Sequence, residues 1–435
     1  MVSGLFQNRM KLALLIFFTA LLVRVVYVVF VLNTRGLERG YDAGDYIQFA
    51  EQMHEQGWMV EDISTIQLHA GPGYPLILYI DMAITGSDSF YFSIALNIFL
   101  SALLCLVIFN LLIELGLSTF LSALAAFWAA FYVHFLRYVS ELNKETIVLF
   151  CLILVVKLLY QSAYSIKLDR AVLAGLVYTY LIHVDERYFF FSPFIVLFLS
   201  IPYSKKALVN ASSFTLTIAL LMLPWLYRNY VVFERPVILT ERTAPFTDKL
   251  LGYNTPANPY RQDPISPYKR SNLAIYESFR DSMLNGEKVQ SKGYRYIDLM
   301  EEAISEGDIP RTQSPIQAKL MEFLELYKPF HFSGSFTANG YRYHREWKLV
   351  SNIVYGLQYG LLLLLFPFGL VQLYRSNKRF LSIALIFIGI HGLIHVFIAY
   401  GLQRYRVPMD FLLIVVAAFG VEFILKRFRK KNEVV

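Results

Sequence analysis

The feature that most constrains this chain is its series of long apolar runs, eight of which are long enough to cross a lipid bilayer. An α-helix rises 1.5 Å per residue, so about 20 apolar residues span a hydrocarbon core of ~30 Å. The runs are Leu12 to Leu32, Phe90 to Ile113, Leu117 to Leu136, Thr146 to Tyr160 with its flanks, Leu208 to Leu226, Ile353 to Leu373, Phe380 to Tyr400 and Val407 to Leu425. Two shorter runs, Leu168 to His183 and Tyr188 to Ile201, flank the polar turn Asp185-Glu186-Arg187; counted as spans, they bring the total to ten. In lipid every backbone N–H and C=O needs a partner within the protein, and a helix supplies one inside each segment. The expected fold class is therefore an all-α polytopic membrane protein of about ten transmembrane helices, with further helices in its extracytoplasmic loops. With 56% hydrophobic and only 17% charged residues, the composition lies well away from soluble domains, in which about 25% are charged.

The net charge of +7 does not point to nucleic acid. The basic residues cluster beside the apolar runs, as they do when positive charge retained in the cytoplasm sets the orientation. With the N-terminus inside, Arg9 and Lys11, Lys167 and Arg170, Lys205 and Lys206, Arg375, Lys378 and Arg379, and the tail Lys426 to Lys431 all become cytoplasmic. The first run lacks a small-residue cleavage pattern and reads as an uncleaved signal anchor. The chain divides into an N-terminal membrane bundle (1–230) with a first external loop (33–89), an extracytoplasmic loop domain (231–350), and C-terminal membrane helices with a basic tail (351–435). Cys105 and Cys151 lie inside apolar runs and imply no disulfide framework.

Against that scaffold, a few polar residues stand out. Arg39 to Gln48 follows the first span directly and carries two carboxylates, Asp42 and Asp45, close to the external surface. Four arginines on the same side, Arg187, Arg228, Arg404 and Arg406, run against the orientation rule. Headgroup binding explains any one of them; four together favour a shared anion, because the guanidinium fork grips phosphate bidentately and keeps its charge near lipid. Glu141, Lys144 and Glu145 sit at the outer ends of the third and fourth spans. Arg24 lies deep in the first span, where a charge has to pair or line a polar cavity, and is expected to support the architecture. His391 and His395 share a helical face with ligand-like spacing but have no carboxylate in their span, which favours packed histidines over a metal site. Asp410 and Glu422 in the last span are open to either a structural or a functional role.

In order along the chain, these residues resemble the GT-C polyprenyl-phosphate-dependent glycosyltransferases, the clan of the protein O-mannosyltransferases and the lipid A aminoarabinose transferase. The resemblance is carried by Arg24; Asp42 through Tyr46 with Ala50 and Gly57; His69-Ala70-Gly71-Pro72-Gly73-Tyr74-Pro75-Leu76; Glu145; Pro224-Trp225 with Arg228-Asn229-Tyr230; Leu251 through Asn254; and Arg404-Tyr405-Arg406-Val407-Pro408. Two departures stand beside it: Ala43 follows Asp42 where the clan often has a second acid, and Ala70-Gly71 replaces a Glu-Lys pair of the aminoarabinose branch.

The resemblance implies a hexosyl or pentosyl transferase that moves a sugar from a polyprenyl-phosphate carrier to an acceptor hydroxyl on the extracytoplasmic face, with inversion. Asp42 would be the catalytic base, and Asp45, Tyr46, His69, Glu145, Arg187, Arg228, Asn229, Arg404 and Arg406 would contact substrate. The implied partners are the lipid-linked donor, a glycan, lipid or protein acceptor, and membrane lipid, with no nucleic acid. No cofactor is certain, and a divalent metal ion is the one left open. A transporter or flippase of a lipid-linked or anionic solute is the alternative; it calls for internal repeats and interrupted helices near the midplane, and no repeat is present. An inactive membrane scaffold is a third option.

Overall fold

A computed structural model describes residues 2–35, 37, 42–57, 71–86, 89–165, 168–201, 204–233, 237–240, 320, 323–324, 326–327, 345–397 and 403–432. The described chain is helical throughout. Its elements are α1 (Val2–Arg35), α2 (Ala43–Gln56), α3 (Gly73–Thr85), α4 (Tyr91–Glu114), α5 (Thr119–Ala130), α6 (Val133–Arg137), α7 (Glu145–Ser165), α8 (Leu168–Val184), α9 (Ser192–Ser200), α10 (Lys205–Phe233), α11 (Arg345–Ser376), α12 (Lys378–Phe397), α13 (Gln403–Arg406) and α14 (Asp410–Asn432). Short 3-10 turns, Glu186–Phe191 and Val407–Met409, precede α9 and α14. Among the described residues seven helices are long and apolar enough to cross a membrane. They lie in α1, α4, α7, α10, α11, α12 and α14, each on a run read from the sequence. The two short runs become α8 and α9, shorter than those seven. Most of the loop domain at 231–350 lies outside the described residues.

The third run departs from the expected single span. Leu117 to Leu136 is divided into α5 and α6 by Phe131 and Tyr132, the latter in an extended conformation. A break inside an apolar run exposes carbonyls that lipid cannot satisfy. Arg24 of α1 answers the first of these, donating to the carbonyls of Ala130 at 3.1 Å and Ala129 at 3.5 Å. It also donates to Ser101 Oγ at 2.8 Å and to its own helix at Ala20. A guanidinium at a helix C-terminus meets the negative end of the helix dipole, so this fully buried charge is offset without a carboxylate. Gln358 of α11 spans the rest of the gap: its amide donates to Phe131 O at 2.9 Å and accepts from Val133 N at 3.0 Å. Tyr132, released from the helix, then reaches Asp410 Oδ2 at 2.8 Å.

The short helices α2 and α3 are held by close backbone approach. A Cβ on Gly71 would lie 2.3 Å from His183 O, and one on Gly73 would lie 2.6 Å from Val184 N, both at the end of α8. Tyr180 Oη donates to Gly73 O at 3.1 Å. The Gly-Pro-Gly turn therefore seats α3 directly against the turn that carries Asp185 and Arg187. At the other end of the bundle, Asn377 Nδ2 donates to Tyr160 Oη at 2.8 Å and Gln161 Nε2 to Glu114 Oε2 at 2.9 Å. Overpacking of this kind costs about 1–3 kcal/mol, so Gly73→Ala should lower the thermal midpoint of the detergent-purified protein by several degrees. Gly389→Ala, whose Cβ meets nothing within 4 Å, should leave it unchanged; equal midpoints for the two variants would refute the close-packed turn.

Candidate functional site

Four separate stretches meet at one end of the bundle: the start of α2, the loop into α7, the turn after α8, and Arg404–Tyr405 before α14. Asp42 is the residue preceding α2, a position where aspartate ordinarily caps the helix with its side chain. Here it makes no such cap. Its Oδ2 instead accepts from Arg404 Nη2 at 2.8 Å, across 362 positions of sequence. The same nitrogen donates to Tyr405 Oη at 2.9 Å. Tyr405 carries Arg187 over its ring, 4.1 Å from the centroid, and lies nearly parallel to His395 at 5.0 Å.

Arg187 is fixed in turn by Asp185, through Nε to Oδ1 at 2.7 Å and Nη2 to Oδ2. Lys144 Nζ stands 3.5 Å from the same carboxylate. Burial alone would raise the Asp185 carboxyl, but the Arg187 guanidinium and the Lys144 ammonium outweigh it and hold the group well below the usual carboxylate range. Arg187 is held correspondingly above its ordinary value, because Asp185 overcomes its own desolvation. Tyr46, buried edge-on against Tyr74 at 5.0 Å, is pushed well above the usual phenol range by burial and then by the Asp42 and Glu145 carboxylates. It stays neutral and keeps a proton to donate.

Glu145 opens α7 and is buried, and among the described residues its Oε2 accepts no hydrogen bond. Neighbouring Glu141 is engaged by Arg137 Nε at 3.1 Å.

The four arginines Arg187, Arg228, Arg404 and Arg406 divide by exposure. Arg404 and Arg187 keep 26% and 17% of their side-chain surface, so both remain within reach of a ligand. Arg406 keeps 1% and is committed to Asp410 at 2.9 Å, to Tyr355 Oη, and to the ring of Tyr359 at 3.8 Å. Arg228 is also 1% exposed. It lies over Trp225 at 5.0 Å and donates to Asn229 Oδ1 at 3.1 Å. Trp225 and Asn229 bind the carbonyls of Val237 and Leu239, fastening residues 237–240 to α10.

The structure thus brings Asp42, Tyr46, Glu145, Arg187 and Arg404 into one cluster and sets Arg406 in a buried triad, with Arg228 and Asn229 at the strap. Asp45 is exposed on the next turn of α2. His69 lies outside the described residues. Sequence reasoning gave no weight to Tyr405, Asp185 and His395 as partners in the cluster. The isolated charged triplet at 185–187, between two short apolar runs, was the available signal. His391 and His395 lie 4.3 Å apart beside Tyr405.

Among the described residues no three His, Cys, Asp or Glu side chains form a set of metal ligands. Asp42 and Glu141 are already paired with arginines, and Arg404, Arg187 and Lys144 stand in the same cluster. These residues do not fit a divalent cation; they present positive charge to an anion.

Because Asp185 is depressed, its contribution to folding is complete above the ordinary carboxylate value of about 4 and is lost only as the pH falls further, toward its folded value. Removing one partner of a buried pair costs about 3–5 kcal/mol. Asp185→Asn should therefore be destabilised by a constant amount between pH 5 and 9, with the gap to the unmodified protein narrowing only in stronger acid. A gap that vanished at pH 6 would contradict the network.

No family model matches the sequence, and no curated protein does. Solved structures do match. The archaeal oligosaccharyltransferase AglB from Archaeoglobus fulgidus, in complex with an inhibitory peptide and a dolichol-phosphate, has a TM-score of 0.56 at 16% identity; the match covers 97% of this chain and 52% of that one. The Archaeoglobus fulgidus oligosaccharyltransferase tethered through a disulfide bond to an acceptor peptide containing the NVT sequon also gives 0.56, at 14% identity, over 97% and 51%. This chain spans about half the length of those proteins. The likeness is one of architecture: the chain shares the fold of the archaeal oligosaccharyltransferase AglB over nearly its whole length.

Proposed function

We propose that this protein is a membrane glycosyltransferase that moves a sugar from a polyprenyl-phosphate carrier to an acceptor hydroxyl at the extracytoplasmic rim of the bilayer. The observation that carries the reading is the part-exposed Asp42–Arg404 ion pair, backed by Arg187 across the Tyr405 ring. The pair is partly open to solvent, so a lipid phosphate can replace the Asp42 carboxylate on the Arg404 fork without leaving the guanidinium unmatched. The exchange would leave the donor phosphate on Arg404 and Arg187 and the Asp42 carboxylate without its guanidinium. Donor binding would then itself release the base.

The acceptor oxygen attacks the anomeric carbon as its proton passes to Asp42. The bond from that carbon to the phosphate oxygen breaks, and the electron pair leaves on the phosphate. The two guanidinium groups stabilise that developing charge. Attack from the face opposite the leaving group gives inversion. Glu145 Oε2, free of protein donors among the described residues, accepts a sugar hydroxyl, and the neutral Tyr46 phenol donates to another. The carrier in the AglB structure is a dolichol-phosphate, a lipid of the chemistry proposed here. The cations do the electrostatic work in this scheme.

Asp42→Asn keeps size and hydrogen bonding but removes the base. Transfer from a radiolabelled polyprenyl-phosphate sugar in membranes should fall by about two orders of magnitude or more, with donor affinity retained. Asp45→Asn should show a much smaller effect. Full activity of a folded Asp42→Asn variant would remove the assignment.

A further inference from the structure

At the end of the bundle opposite the Asp42 cluster, two guanidinium groups converge on one ring. Arg375 of α11 lies 5.6 Å and Arg427 of α14 lies 5.3 Å from the centroid of Phe423. The approach is enforced by the packing of α11 on α14, where a Cβ on Gly369 would lie 1.9 Å from Val416 O and one on Gly420 would lie 2.3 Å from Leu365 O. Two cations on one phenyl ring repel each other, and the nearest carboxylate does not relieve them. Glu422 is taken by Lys426 at 3.0 Å and by Gln372 at 2.9 Å.

Among the described residues, the other acids of this end are also paired, Glu114 with Lys157 at 2.7 Å and Asp169 with Arg170 at 3.4 Å. Among the described residues, Arg375 and Arg427 therefore have no carboxylate, and both are exposed. Apolar surface surrounds the pair. Phe368 stacks on Phe423 at 6.0 Å and is 43% exposed, with Val371, Leu425 and Phe428 exposed beside it. The groove thus offers a fork for a phosphate above a wall for acyl chains.

We propose that the groove between α11 and α14 is a binding site for an anionic phospholipid, its phosphate held between Arg375 and Arg427. The occupant follows from the arrangement. A soluble phosphate would use the charges but not the flanking aromatic and aliphatic wall, and a zwitterionic lipid would bring its own cationic group beside the two guanidinium groups. The site is separate from the catalytic reading and stands or falls without it. A juxtamembrane cation contributes about 1 kcal/mol toward anionic lipid, so loss of both should weaken retention by roughly tenfold or more.

The test is native mass spectrometry of the full chain in detergent with dioleoyl phosphatidylglycerol, dioleoyl phosphatidylcholine or inorganic phosphate added. One phosphatidylglycerol should stay bound to the unmodified protein and be lost from Arg375→Gln/Arg427→Gln. It should persist in Lys205→Gln/Lys206→Gln, which removes the same charge from the exposed start of α10 at the same end. Equal retention in the arginine variant would overturn the site. So would equal loss in the lysine variant, retention of phosphatidylcholine to the same degree, or displacement of the lipid by equimolar inorganic phosphate. Circular dichroism of both variants, expected to match the unmodified protein, separates lost binding from lost folding.

Discussion

The constraint from which the rest of the structure follows is that a helix interrupted within an apolar run has to have its freed backbone groups satisfied by protein. Arg24 and Gln358 meet that demand at the break between α5 and α6. The break frees Tyr132 to hold Asp410, and Asp410 holds Arg406. Those bonds anchor the short segment entering α14, and Arg404 and Tyr405 lie two residues and one residue upstream of that anchor. A costly buried charge in the first helix is thus coupled, through one irregular turn, to the position of the guanidinium that faces Asp42. The coupling explains why Arg24, which touches no part of the cluster, belongs to the same functional design.

The two pairs around Arg404 and Arg406 show how neighbouring residues of one type take on opposite duties. Both arginines bind an aspartate at nearly the same distance, 2.8 and 2.9 Å. One pair is fully enclosed, with the Tyr355 hydroxyl and the Leu326 carbonyl accepting from the other donors of Arg406, and exchanging its partner would strand a charge in a medium of low dielectric. The other keeps 26% and 31% of its side-chain surfaces in contact with solvent, so an incoming anion can replace the carboxylate without stranding the guanidinium. Burial, and not residue type or bond length, separates the arginine that builds the wall from the one available to a ligand.

Much of this was legible in the sequence for a simple reason: charges are so costly in apolar surroundings that each one announces a purpose. The apolar runs gave the helices, and the outward arginines gave the end of the bundle to examine. Asp42 and Arg404, at opposite ends of the chain, were both singled out, and they meet. The break at Phe131 and Tyr132 was hidden because neither glycine nor proline marks it; its cause lies in Arg24 and Gln358, remote in sequence. The division of labour among the arginines was equally out of reach, since Arg406 and Arg228 differ from Arg404 and Arg187 only in what covers them. Tyr405 was visible as part of a motif, yet its place between Arg404 and Arg187 depends on the fold of three other segments.

The contact between Asp42 and Arg404 also bears on how the bundle assembles. The two residues lie 362 positions apart, so the cluster cannot form until the helices between them have packed. Until α14 is in place, Arg404 does not face the carboxylate, and Tyr405 is not there to hold Arg187. The cluster is therefore a product of the assembled bundle and of no single segment within it.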